Sequence, residues 1–179
     1  DDAVQFGLGE PDFQPPEIAI EAFTRAMREG RNKYTTTAGL PELRRKIASM
    51  WHHLVPTLDE SNICITMSGT NALLDIFLAT VNPGDKVMIP EPYFPLYPPD
   101  VVICGGQPSF YPCKFENGFV PTISDLEEIV DDNTVAILYN FPSNPTGGNV
   151  NEEQRDELVE FARSHDLWLI SDEVYDRIV

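Results

Sequence analysis

Four short motifs in this 179-residue chain carry the residue types that chemistry needs, and each follows a short apolar run. Ser68-Gly69-Thr70-Asn71 opens a helical pattern. Small residues at a helix start leave free backbone N–H groups at the positive end of the helix dipole, which suits a phosphate or a carboxylate. The same residues also read as a plain helix cap. Glu91-Pro92-Tyr93-Phe94-Pro95 offers an aromatic ring that could stack on a flat heteroaromatic ring, or a packed aromatic in a proline-rich loop. The stretch 141–148 fixes Asn144 between turn-forming residues, so its amide can be held in one orientation, and Asn144–Pro145 is a candidate cis bond. Ser171-Asp172-Glu173-Val174-Tyr175 sets a carboxylate at the end of the apolar run 167–170, where poor solvation demands a partner. A structural pair or a helix cap would also meet that demand.

Asn144 and Asp172 follow consecutive strands of one strand–helix–strand unit. Such a crossover is right-handed and returns the chain to the same edge of the sheet. Neighbouring parallel strands lie about 5 Å apart, so both side chains can reach one small ring.

The elements that must position these groups alternate along the chain. Apolar runs at 62–67, 86–89, 108–111, 134–139 and 167–170 predict strands. Helical patterns fall at 70–81, 93–104, 122–130 and 151–165, the last with Asn151 as cap and Gln154 three residues on. This order predicts an α/β fold, a three-layer, mainly parallel sheet with helices on both faces. Ligands of such sheets bind beyond the carboxyl ends of the strands, where the four motifs stand. Ahead of the sheet, a helix is expected over 16–29 with the apolar stripe Ile18, Ala19, Ala22, Phe23, Ala26 and Met27. A second is expected over 41–54, with Leu43, Ile47, Trp51 and Leu54 on one face. Residues 1–55 therefore read as an N-terminal arm and helices outside the sheet, and 56–179 as the sheet domain.

Composition narrows the function classes. A formal charge of −17, with 29 acidic residues spread along the chain, argues against a nucleic-acid partner. No apolar run is long enough to cross a membrane, and the start carries no signal-peptide pattern. Without a starting Met, the chain reads as a piece cut from something longer at both ends. Cys64, Cys104 and Cys113 form no CxxC pair and suggest reduced thiols in a cytoplasm. His52 and His53, adjacent on a helix, face different ways, and no His or Cys spacing suggests a metal.

Taken in order, Gly9-Glu10-Pro11-Asp12-Phe13, Tyr34 with Gly39, Ser68-Gly69-Thr70-Asn71-Ala72, Glu91-Pro92-Tyr93-Phe94, Asn144-Pro145-Thr146-Gly147 and Asp172-Glu173-Val174-Tyr175 resemble one family. It is the class I/II aminotransferases, fold-type I pyridoxal-phosphate enzymes of the aspartate aminotransferase type. The resemblance covers essentially the whole chain. It implies transfer of an amino group between an amino acid and a 2-oxo acid, with pyridoxal 5'-phosphate as cofactor and Asp172, Asn144 and Tyr175 as catalytic residues.

In that comparison Asp172 pairs with the protonated pyridine nitrogen. Two charges 4 Å apart attract by about 4 kcal/mol at an effective dielectric of about 20. That is about three pKa units, enough to keep the ring protonated at neutral pH. Asn144 and Tyr175 bond the phenolic oxygen. Ser68, Gly69 and Thr70 hold the phosphate, and Phe94, ahead of Tyr93, stacks on the ring. Tyr34 corresponds to a tyrosine that reaches the phosphate of the other subunit of a homodimer, and Gly9 and Asn144 lie on the substrate side. Residues 1–55 correspond to small-domain and dimer-contact segments, and 56–179 to part of the large cofactor-binding domain.

The resemblance also implies a lysine that holds the cofactor covalently and an arginine for the substrate carboxylate, both downstream of Asp-x-x-Tyr. The lysines here, Lys33, Lys46, Lys86 and Lys114, stand in no Ser-x-x-Lys setting. The expectation is a fragment with an incomplete sheet that binds the cofactor weakly or not at all and is inactive alone. A carbon–sulfur lyase, a decarboxylase or a non-enzymatic aminotransferase-like binding domain on the same scaffold remains an alternative.

Overall fold

The computed structural model describes residues 7, 9 and 13–177. Glu10, Pro11 and Asp12 of the Gly-Glu-Pro-Asp motif lie outside them. The chain divides into two compact units, residues 1–64 and 65–179.

The first unit holds α1 (Glu17–Arg28) and α2 (Pro41–Trp51). Helix α1 starts behind Pro16 with Glu17 in its first turn, and the left-handed Gly30 (φ 76°) ends it. The predicted apolar stripe forms but faces solvent: Ile18 is 77% exposed and Phe23 70%. Helix α2 opens with Pro41, where the missing N–H costs nothing, and buries Ala48. It stops three residues short of the expected 54. Arg44 of α2 donates through Nε to the Ile63 carbonyl at 2.8 Å and through Nη2 to that of Glu60.

The strand expected over 62–67 is absent. Glu60–Asn62 forms a short 3-10 turn capped by Asp59, and the residues after it pair with no strand. An apolar, extended run becomes a strand only when a neighbouring strand takes its N–H and C=O groups, and among the described residues no strand pairs with 63–67.

The second unit builds α3 (Gly69–Thr80), β1 (Lys86–Glu91), α4 (Tyr97–Ile103), β2 (Gln107–Pro112), α5 (Ile123–Glu127), β3 (Thr134–Tyr139), α6 (Glu152–Ser164) and β4 (Trp168–Ser171). All strand pairs are parallel, in the order β2-β1-β3-β4. Alternating side chains feed opposite faces. Val87, Ile89, Ala136, Leu138 and Ile170 pack with Leu73 and Phe77 of α3 and Tyr97 and Val101 of α4. Met88 and Ile137 pack with Leu126 of α5 and Leu158, Phe161 and Ala162 of α6. Helices thus cover both faces of a parallel sheet in three layers.

Helices α4 and α5 are also shorter than the sequence suggests. Helix α4 begins at Tyr97 rather than 93, because Pro95 disfavours helical backbone at Phe94, while Pro98 and Pro99 fit the first turn. Helix α5 ends at Glu127, after a start capped by Thr122. Helix α6 carries the expected reciprocal cap between Asn151 and Gln154. Among the described residues, no helix is long and apolar enough to cross a membrane.

Candidate active site

The carboxyl ends of β3 and β4 lie side by side. Tyr139 pairs with Ser171, and the Asp172 N–H continues the ladder onto the Tyr139 carbonyl at 2.9 Å. Asn140 and Asp172 are the first residues past their strands, and the Asn140 Nδ2 donates to the Asp172 carbonyl at 2.9 Å. The half-buried Asp172 carboxylate finds the partner its position demands: the Tyr97 hydroxyl donates to Oδ2 at 2.7 Å. Oδ1 accepts the Val174 N–H at 3.3 Å. Burial, and then the hydrogen bond to this carboxylate, push the Tyr97 phenol well above its ordinary pKa, so it stays a donor. Tyr97 sits at the start of α4 and is almost wholly buried.

The loop after β3 is tightly folded. Asn140 Oδ1 accepts the Asn144 N–H at 2.8 Å, Ser143 N–H donates to the Gly148 carbonyl, and Gly147 N–H to that of Ser143, both at 2.9 Å. Asn144–Pro145 is cis, as are Phe141–Pro142 and Glu91–Pro92. Gly147 adopts φ 72°, and a Cβ on Gly148 would meet the Gly118 carbonyl oxygen at 2.9 Å. The loop aims the Asn144 side chain across to the next strand's turn, where Nδ2 donates to the Tyr175 hydroxyl at 3.0 Å.

The aromatic loop after β1 separates its two rings. Tyr93 stacks on Phe110 of β2 at 5.1 Å between centroids. Phe94 meets the edge of Tyr97, the ring bonded to Asp172, at 5.5 Å. Phe94, and not Tyr93, thus contacts the ring that is bonded to Asp172.

Ser68 caps α3, its hydroxyl accepting the Asn71 N–H at 3.1 Å. Nothing crowds Gly69. Residues 81–85 join the end of α3 to β1, so the helix runs back along the sheet, and its Leu73 and Phe77 share the layer of Tyr97 and Ile170. The first amides of a helix lack intrahelical acceptors; here the half-buried Thr70 and exposed Gly69 lie in that turn.

The structure thus joins Asp172, Asn144, Tyr175 and Phe94 in one connected set, and places Ser68, Gly69 and Thr70 at the start of the helix packed beside it. Tyr34 and Gly9 belong to the first unit, and both are exposed there. Lys86 bonds Asp131 at the opposite end of β1, and Lys114 bonds Asp125 at 2.6 Å. Sequence reasoning missed Tyr97 and Asn140. Asn140 ends an apolar strand just as Asp172 does, which is a usable signal; Tyr97 carries none.

Chemically, a carboxylate accepts up to about four hydrogen bonds, so Asp172 can take a further donor such as a protonated ring nitrogen. The Tyr175 hydroxyl accepts from Asn144 and keeps its own hydrogen, and the Asn144 amide keeps a second, giving two donors for an oxygen anion. Among the described residues no cluster of His, Cys, Asp or Glu could hold a metal ion.

The whole chain, residues 1–179, matches the family model for aminotransferase class I and II. It is 39% identical over 179 residues to a protein of Aquifex aeolicus named Probable aspartate/prephenate aminotransferase, covering 99% of this chain and 45% of that one. It is 36% identical to the aspartate aminotransferase of Bacillus subtilis, covering 99% and 45%. Among solved structures, the aspartate aminotransferase of Thermotoga maritima superposes with a TM-score of 0.94 at 32% identity, covering all of this chain and 48% of the other. That of Thermus thermophilus with maleate gives 0.89 at 36%, covering 93% and 44%. The chain spans about half the length of the relatives it matches.

Proposed function

The chain belongs to the class I and II aminotransferase family, and from that premise we propose that it supplies the cofactor-holding part of a pyridoxal-phosphate-dependent aminotransferase. The reaction moves an amino group between an amino acid and a 2-oxo acid. The observation that carries this reading is the pairing of an acceptor and a donor set on adjacent strand ends. The Asp172 carboxylate is held by Tyr97, and beside it stand the Asn144 amide and Tyr175 hydroxyl.

The residues fit pyridoxal phosphate by their chemistry. Asp172 holds the proton on the pyridine nitrogen, because a nearby anion favours the charged form. Asn144 and Tyr175 bind the phenolic oxygen as anion and so hold the ring in register. Gly69 and Thr70 amides, with the Ser68 and Thr70 hydroxyls, bind the phosphate at the start of α3. Phe94 covers one ring face and excludes water from it. When bound, the cofactor supplies an electron sink for charge developing at the substrate's alpha carbon.

Aspartate is the first amino donor to test, since the named relatives act on it and one structure holds maleate, a dicarboxylate. The complete protein works as a homodimer, with the exposed Tyr34 reaching the neighbouring subunit. The free thiols of Cys64, Cys104 and Cys113 support a cytoplasmic setting.

The test uses the complete native protein with added pyridoxal phosphate, aspartate and a 2-oxo acid acceptor. Appearance of the acceptor's amino acid together with the donor's oxo acid supports transamination. Release of carbon dioxide or sulfide instead would point to the decarboxylase or lyase alternatives. A protein that stays colourless after soaking in the cofactor would contradict the whole reading.

A further inference from the structure

Asn140 is buried to 1% exposure and uses its amide at both ends. Nδ2 donates to the Asp172 carbonyl at 2.9 Å, and Oδ1 accepts the Asn144 N–H at 2.8 Å. One planar group thereby spans the two loops that carry the polar grips of the site. The donor reaches the strand end of Asp172, and the acceptor reaches the turn of Asn144. An aliphatic side chain offers neither bond, and an aspartate offers only the acceptor.

We propose that Asn140 is a positioning residue that sets the separation between the Asp172 carboxylate and the Asn144 amide. This rests on the reading that the site holds pyridoxal phosphate, whose ring nitrogen and phenolic oxygen those two groups grip. Loss of the clamp moves both grips at once, and a site relaxed by even a fraction of an ångström loses its fit to a rigid ring. An amide that merely stabilised the fold would lower the melting temperature and leave the bound ring's proton affinity alone.

The experiment titrates pyridoxal phosphate into the complete native protein and records absorbance across pH, for wild type, Asn140→Leu, Asn140→Asp and Tyr111→Phe. Tyr111 of β2 is the control: its hydroxyl donates at 2.8 Å to the Leu138 carbonyl of β3, the strand that Asn140 follows, and bonds neither grip. Asn140→Leu is expected to weaken pyridoxal phosphate binding about tenfold, from two lost hydrogen bonds. It should also move the pH at which the bound chromophore changes colour. Asn140→Asp keeps the bond from Asn144 and should fall between; if Asn140→Leu does not fold, it carries the same test. Tyr111→Phe should melt earlier yet bind and titrate as wild type. Wild-type behaviour in the Asn140 variants, or an equal spectral shift in Tyr111→Phe, would overturn the proposal alone. Absence of binding by wild type would overturn the cofactor reading and this proposal with it.

Discussion

The Tyr97 hydroxyl and the Asp172 carboxylate meet at 2.7 Å across 75 residues of sequence. A helix start beyond β1 and a turn beyond β4 are thereby fixed to one another at the carboxyl rim. A hydrogen bond to a charged group contributes about 1.5–3 kcal/mol. Tyr97→Phe should destabilise the protein by about that amount at neutral pH, read from the urea midpoint. An unchanged midpoint would mean the bond is not formed in solution.

Burial holds both the Tyr97 and the Tyr111 phenols above their ordinary range. A group whose folded pKa is raised stabilises fully below its unfolded value, about 10 for tyrosine, and that contribution is lost as pH climbs past it. Stability should therefore fall above about pH 10, and more gently in Tyr111→Phe. Urea unfolding between neutral and strongly alkaline pH measures both slopes.

Asp100 of α4 is buried, and its Oδ2 has no hydrogen-bond partner. Burial raises its carboxyl pKa. With the folded value above the unfolded one, its favourable contribution is complete below about pH 4 and disappears as pH rises through the folded value. Asp100→Asn should therefore be more stable than wild type at neutral pH and less so in acid. A buried unsatisfied group costs about 1–3 kcal/mol, which bounds the gain. Parallel stability curves for the two proteins would refute it.

Gly148 lets the Asn144 loop lie against the turn at Gly118 and Phe119, with room for no Cβ: one placed there would stand 2.9 Å from the Gly118 carbonyl oxygen. Overpacking of this kind costs about 1–3 kcal/mol. Gly148→Ala should lose stability on that scale and also weaken cofactor binding, because the same loop aims Asn144 at Tyr175. Thermal melts and a cofactor titration on one preparation check the pair of effects.

Much of this arrangement is legible in the residues themselves. The rule that ligands sit beyond parallel strand ends singles out Asn144 and Asp172, and the crossover rule puts them together. The same rule marks Asn140, which follows β3 as Asp172 follows β4, but its bridging role shows only once its two partners are known. Tyr97 reads as one more apolar helix position, because a contact spanning 75 residues leaves no local trace. The run 62–67 misleads for the opposite reason: its side chains suit a strand, but strand formation depends on a partner that side-chain pattern does not report.

In the proposed site Asp172, Asn144, Tyr175, Phe94 and the start of α3 hold one phosphorylated pyridine. A crystal structure of the native protein soaked with pyridoxal phosphate tests it most directly. The ring nitrogen is expected at the Asp172 carboxylate, the phenolic oxygen at Asn144 and Tyr175, and the phosphate at Ser68–Thr70. A ring bound elsewhere, or turned so that its nitrogen faces away from Asp172, would contradict it.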